Sequence, residues 1–398
     1  MKTLQLSFLL LLIVASGSFS QDQNSVKLQQ YIKTLEDKGE EPISFVLNKL
    51  KDYDLILFDD ALHTAVEPFE FYQKLIKEKR FQERVKYVFL ELVSINQQQA
   101  IDAYLEAETN DLSLLYPAFQ NNFSGLGWRP KTYFDLLQTI WTVNASLIPE
   151  NRLKVIAVNA PTYWSEIHTQ EDVELFKLSL SGNDYTMHQI ILSYMDNFRS
   201  GRKGIFLTNT RHAYKGIKNR ENKYYWNCGT FFNLDNPGKT YSIRFHNINR
   251  SLENKSVKWV RNENGLWDSA FKAFGDKPIV IDLKDTPFGK ASYIGNHVPD
   301  VASGQTMYDA YDALIFLAPI EKLRRTAMVD YFYTEKFKQE LERRAKFLYT
   351  QEQIEEILNN YGLKSIRGFI DNFFIYEPES LEPLAKSIGA IDAWKTAK

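Results

Sequence analysis

Cysteine is almost missing. One residue, Cys228, in 398 excludes an intramolecular disulfide and a zinc–thiolate cluster. A charge of one sign is missing too. The formal net charge of −2 provides no basic field to hold nucleic acid. Beyond Val14 no apolar run reaches the ~20 residues that a membrane-spanning helix needs. The sequence contains no His-Glu-x-x-His, no Gly-x-Ser-x-Gly, no P-loop and no Gly-x-Gly-x-x-Gly. Serine-hydrolase chemistry and nucleotide binding therefore lack local support.

What is present is the composition of a globular protein, 44 % hydrophobic and 25 % charged. Aromatic residues reach 14 %, enough to line a cleft for an organic ligand as well as to fill a core. The N-terminus, MKTLQLSFLLLLIVASGSFSQDQ, has Lys2, an apolar stretch from Leu4 to Val14, and Ser18 and Ser20 before Gln21. This is the pattern of a secretory signal peptide. The expectation is that residues 1–20 are removed and that the protein is exported, to a periplasmic or extracellular location.

From residue 21 onward, apolar runs alternate with helical patterns. Strands are expected at 53–60, 86–93, 152–160 and 203–212, with helices starting near Pro68, over 96–108 and over 184–201. Further strands are expected at 239–247, 277–284 and 311–319. Such alternation implies right-handed crossovers and an α/β fold with a mainly parallel central sheet flanked by helices. Residues 21–398 read as a single domain. It carries a helical insertion near 109–150 and C-terminal helices near 333–361.

In open parallel sheets, ligands bind outside the carboxyl ends of the strands. Here those ends carry Asp59, Asp60 and His63, then Glu91, then Asn159, then Asn209, Arg211 and His212. Any one of these has an ordinary explanation as a cap, a turn or a solvated loop residue. Glu91 is harder to explain, because it interrupts YVFLELV, where an unpaired carboxylate costs several kcal/mol. His63 or Arg211 is its expected partner. His168 and His246 are expected to be solvated.

These segments resemble a known family. LILFDDALHT resembles the first motif of the erythromycin esterase / haem-binding ChaN-like superfamily, a strand ending in Gly-Glu-x-x-His. YVFLELVSINQQQAIDAYL resembles its second block, and KGIFLTNTRHAYKG its third, of His-Asn-x-His type. SYIGNHVPD and YDALIFLAP resemble its closing segments, so the likeness spans residues 50–320 or so. The resemblance implies that His63, Glu91 and His212 surround a hydrolytic centre. Among the departures from the pattern, Gly-Glu is Asp59-Asp60, and the first His of the third motif is Asn209.

The residues themselves allow the same chemistry. An imidazole takes a proton from water near neutral pH, and a carboxylate beside it fixes the tautomer. His63 and His212 with Asp60 and Glu91 form such a catalytic set, and Asp59, Asn159, Asn209, Arg211 and His297 are the expected substrate contacts. Three functions stay open. One is a hydrolase for an ester or amide of a small organic molecule. The second is a non-catalytic protein holding haem or another small ligand, and the third is a metal-dependent peptidase. No cofactor is required by the sequence. The nitrogen and oxygen ligand set leaves a divalent metal open, and the resemblance leaves haem open.

Overall fold

The computed structural model describes residues 23–253, 256–295, 298, 300–360, 362–372 and 379–388. The leader-like segment 1–20 and the candidate His297 lie outside the described residues.

The apolar run in front of Asp60 forms β1 (Leu55–Asp59). It is followed by β2 (Val85–Ser94), β3 (Lys154–Asn159), β4 (Lys203–Thr208) and β5 (Thr240–Phe245). A hairpin of β6 (Asn249–Glu253) and β7 (Ser256–Val260) comes next, then β8 (Ile279–Asp282) and β9 (Ala313–Phe316). Seven strands form one sheet in the order β3-β2-β4-β1-β5-β9-β8. All neighbours in it are parallel except β8 and β9. The expected α/β fold with a mainly parallel sheet is the one found. The antiparallel edge and the β6–β7 hairpin are additions that the sequence reading did not contain.

β1 lies at the centre and is buried on both faces, which is why it is apolar without alternation. Ile56 and Phe58 pack with Phe69 and Tyr72 on one face. Leu55 and Leu57 pack with Met187, Ile191 and Phe206 on the other. The first face is covered by the helix Val66–Lys77, and behind it by Lys131–Ala145 from the expected insertion. The second face is covered by the helix Asn183–Tyr194. That helix ends earlier than the 184–201 expected. Asp196, Asn197 and Phe198 take positive φ and break it, and Asp and Asn tolerate that region better than most residues. The C-terminal helices run over Glu335–Leu348 and Gln351–Asn360, close to their expected places.

From β1 the chain leaves toward β2, and from β4 it leaves toward β5. The strand order therefore reverses between β4 and β1, where an open α/β sheet forms its crevice. The carboxyl ends of β2, β4 and β1 meet there side by side. No helix among the described residues is long and apolar enough to cross a membrane.

Candidate active site

The turn after β1 is built on Asp59. Its carboxylate, without exposed surface, accepts from the Ala61 amide (2.8 Å), the Thr210 hydroxyl (3.0 Å) and the Tyr311 hydroxyl (2.6 Å). Arg244 lies 3.4 Å away. Ala61 holds φ of +59°, a strained conformation for a residue with a Cβ. Asp59 fixes that turn and, through Thr210, the turn after β4 as well. The two turns carry His63 and His212.

His63 sits between two acids. Its Nδ1 is 2.9 Å from Asp60 Oδ2 and 3.1 Å from the Tyr133 hydroxyl. Its Nε2 is 3.2 Å from Glu91 Oε2 and 2.7 Å from Asn209 Nδ2. Trp128 meets the ring edge-on at 5.5 Å. Glu91 continues the chain, with Oε1 3.3 Å from His212 Nε2. His212 Nδ1 in turn lies 2.7 Å from Asp184 Oδ1, which also accepts from the Cys228 amide at 2.8 Å. The Thr208 hydroxyl donates to Glu91 Oε2 at 3.2 Å. The result is one alternating line of carboxylate and imidazole: Asp60, His63, Glu91, His212, Asp184. His63 is the most open of the central three, with 14 % of its side chain exposed against 4 % for Glu91 and 8 % for His212.

Asn209 decides a tautomer. It caps the short helix Thr210–Ala213, and its Oδ1 accepts from the Arg211 amide at 2.8 Å. Its amide nitrogen must then face His63, so that in the neutral ring Nε2 is the acceptor and the proton stays on Nδ1, toward Asp60.

Burial works against charge throughout this line, and the neighbours decide who keeps it. Burial disfavours the His63 cation, yet the carboxylates of Asp60 and Glu91 outweigh it and hold its pKa well above the ordinary value. His212 follows the same balance, with Asp184 and Glu91 lifting it to about 10. Burial would raise Glu91, but the two imidazoles hold it well below the usual carboxylate range. Asp60 ends up the other way. Burial lifts it to about 6, only partly offset by His63, and its Oδ1 has no hydrogen-bond partner among the described residues.

The structure thus brings together Asp60, His63, Glu91, Asn209 and His212. Two expectations are corrected. Asp59 and Asn159 are expected to contact substrate, but both are buried and bonded inward. Asn159 Nδ2 donates to the Glu91 carbonyl at 2.8 Å, so it steadies β2. Of the two partners expected for Glu91, His63 is the one found, and Arg211 is exposed. His246 is buried rather than solvated, between Asp268 and Asn262. Four contributors escaped the sequence reading: Asp184, Tyr133, Trp128 and Thr208. Asp184 looks like any acid in the first turn of a helix. Tyr133 and Trp128 arrive from the insertion, which no local pattern ties to the rim.

A metal or haem finds no fit in this donor set. Both nitrogens of His212 face carboxylates, and both nitrogens of His63 are engaged. Among the described residues no group of three or more His, Cys, Asp or Glu is arranged to hold a metal ion.

No family model matches the chain, and no curated protein sequence matches it. Solved structures do. A succinoglycan biosynthesis protein is similar at a TM-score of 0.52 and 8 % identity, over 73 % of this chain and 96 % of that one. A Bacillus cereus protein is similar at a TM-score of 0.48 and 13 % identity, over 73 % and 97 %. A mutant erythromycin esterase in its open conformation is similar at 0.47 and 10 % identity, over 69 % and 92 %. The likeness is one of fold.

Proposed function

We propose that the protein is an exported hydrolase that activates water with His63 to cleave an ester or amide of a small organic molecule. The clamped imidazole carries this reading. In the neutral ring Asp60 holds the Nδ1 proton and Asn209 faces Nε2 as a donor, and this form takes a proton from water; because Asp60 and Glu91 hold the His63 pKa well above its ordinary value, its share grows as pH rises. Water attacks the carbonyl carbon as its proton passes to Nε2. Glu91, 3.2 Å from that nitrogen, stabilises the imidazolium formed. The same proton then goes to the departing oxygen or nitrogen as the bond to the carbonyl breaks. His212, kept protonated by Asp184 and Glu91, holds Glu91 ionised from the other side.

The test is hydrolysis of a panel of aryl and macrolactone esters by wild type and His63→Gln. The variant should lose roughly 10³-fold in kcat/KM, within the range for a general base. Equal turnover by the two proteins would reject the reading. Export rests on the leader-like N-terminus, and an intact Met1 in protein recovered from the envelope or medium would reject that part.

A further inference from the structure

Next to the His212 end of the site stands a group of exposed rings. Trp226 is 58 % exposed and Tyr185 is 54 % exposed. They are not scattered. Trp226 stacks on Phe231 at 5.5 Å with an interplanar angle of 19°, and Tyr185 meets the same ring edge-on at 5.5 Å. Tyr224 packs against Trp226 at 5.5 Å. Single exposed aromatics need no explanation, but a contiguous group of them marks a binding surface.

The group is tied to the site by its backbone. Tyr185 follows Asp184, the partner of His212. Asn227, next to Trp226, donates from Nδ2 to the Arg211 carbonyl at 3.0 Å, and Cys228 donates its amide to Asp184. Arg211 is the sequence neighbour of His212, and its exposed guanidinium makes no ion pair among the described residues. A flat apolar face and an uncompensated cation therefore flank the same end of the carboxylate–imidazole line.

We infer that Trp226 and Arg211 form the subsite for the body of the substrate, and that this body is an aromatic ring bearing an anionic group. The inference rests on the hydrolase reading for its use, since the ring would dock with its ester or amide bond toward His212 and His63. Stacking on Trp226 supplies affinity, and Arg211 selects the anion.

The test is binding, which is independent of turnover. 2-Naphthoate and the neutral 2-naphthylmethanol are titrated calorimetrically into wild type, His63→Gln, Trp226→Ala, Trp226→Phe and Arg211→Gln. Wild type and His63→Gln should bind naphthoate alike and prefer it to the alcohol. Trp226→Ala should weaken it about tenfold, with Trp226→Phe restoring most of the loss. Arg211→Gln should bring naphthoate down to the level of the alcohol. Both substituted side chains are exposed, so folding is not at stake, and circular dichroism checks it. Equal binding of the two ligands by wild type, no binding of either, or naphthoate affinity unmoved by Trp226→Ala would each overturn the inference. Failure of the ester panel with this binding pattern intact would reject the hydrolase reading alone.

Discussion

Two clusters of buried charge lie on the same rim of the sheet, and they pair their charges differently. At the ends of β2, β4 and β1, imidazoles separate the carboxylates of Asp60, Glu91 and Asp184. At the end of β5, guanidiniums do the pairing. Arg244 faces Asp59 at 3.4 Å, and Arg261 faces Asp268 at 3.2 Å and Glu321 at 2.7 Å. Both clusters contain a histidine. His246, in the second, has no exposed side-chain surface and sits 3.2 Å from Asp268. His63, in the first, keeps an open edge. Burial of acids and histidines at strand ends is thus not what distinguishes a site. A guanidinium stays protonated at any accessible pH and only holds its partner. An imidazole can release and regain its proton within the accessible pH range, here shifted upward by the carboxylates beside it. The first cluster is built to exchange protons, and the second to hold the turns that carry it.

The comparison breaks most visibly at the permanent charge. Arg244→Met leaves Asp59 buried without its cation. Stability should fall by ~3–5 kcal/mol, the usual consequence of removing one partner of a buried pair. Because Asp59 fixes the turns of His63 and His212, hydrolysis should fall with it. Chemical denaturation checks this, and a variant as stable as wild type would show that the second cluster is not a support.

Glu91→Gln should behave in the opposite way. Its two partners can neutralise by losing protons, so the fold should survive. The charge that favours both imidazolium forms is gone, so the titrations of His63 and His212 should move down, read by NMR of the ring protons. Turnover should drop on the order of 10²-fold, because the imidazolium formed in the reaction loses its stabilising neighbour. Unmoved histidine titrations would mean that Glu91 does not set their charge.

The two clusters should also differ in pH dependence. A histidine raised to about 10 in the fold, from an ordinary value near 6.5, stabilises the protein fully below about 6.5. That contribution fades as pH rises toward about 10. Glu91, depressed, contributes above about 4.5, and its contribution is lost as pH falls below that. Melting temperature should therefore decline on the alkaline side. His212→Gln should flatten that decline, whereas Arg244, charged throughout, should contribute no slope. A wild type whose melting temperature holds steady from pH 7 to about 10 would contradict the assignment.

How much of this was legible in the sequence follows from the range of each signal. The strands β1 to β5 were readable because a doubly buried parallel strand needs a short continuous apolar run. The line His63, Glu91, His212 was readable because polar residues ending such runs must share one rim. Asp184 was not, since its partner lies 28 positions away and nothing in its own helix turn differs from an ordinary acidic start. Asp59 and Asn159 were placed on the right rim with the wrong orientation. A residue's position along the chain gives its strand end, but whether it faces ligand or neighbour depends on contacts such as Tyr311 and the Glu91 carbonyl. His246 was misplaced for the same reason. Its burial comes from Asp268 and Asn262, which the chain supplies later.

The smallest effect is expected at the lone cysteine. Cys228 is fully buried on the second face of the sheet, beside Phe206 and Phe232. Its link to the site runs through its backbone amide, which holds Asp184, and not through its sulfur. Burial pushes the thiol pKa well up, so it stays neutral and unreactive as a nucleophile. Cys228→Ser keeps the backbone bond and replaces sulfur by a hydroxyl in an apolar setting. The cost should be about 1–3 kcal/mol if that hydroxyl finds no partner, with kcat/KM within about twofold of wild type because Asp184 keeps its amide donor. Reductant should leave the melting temperature of the wild type unchanged. A loss of turnover in Cys228→Ser as large as that of Glu91→Gln would mean that the sulfur acts in the site, and the division between supporting backbone and reacting side chain would have to be redrawn at Asp184.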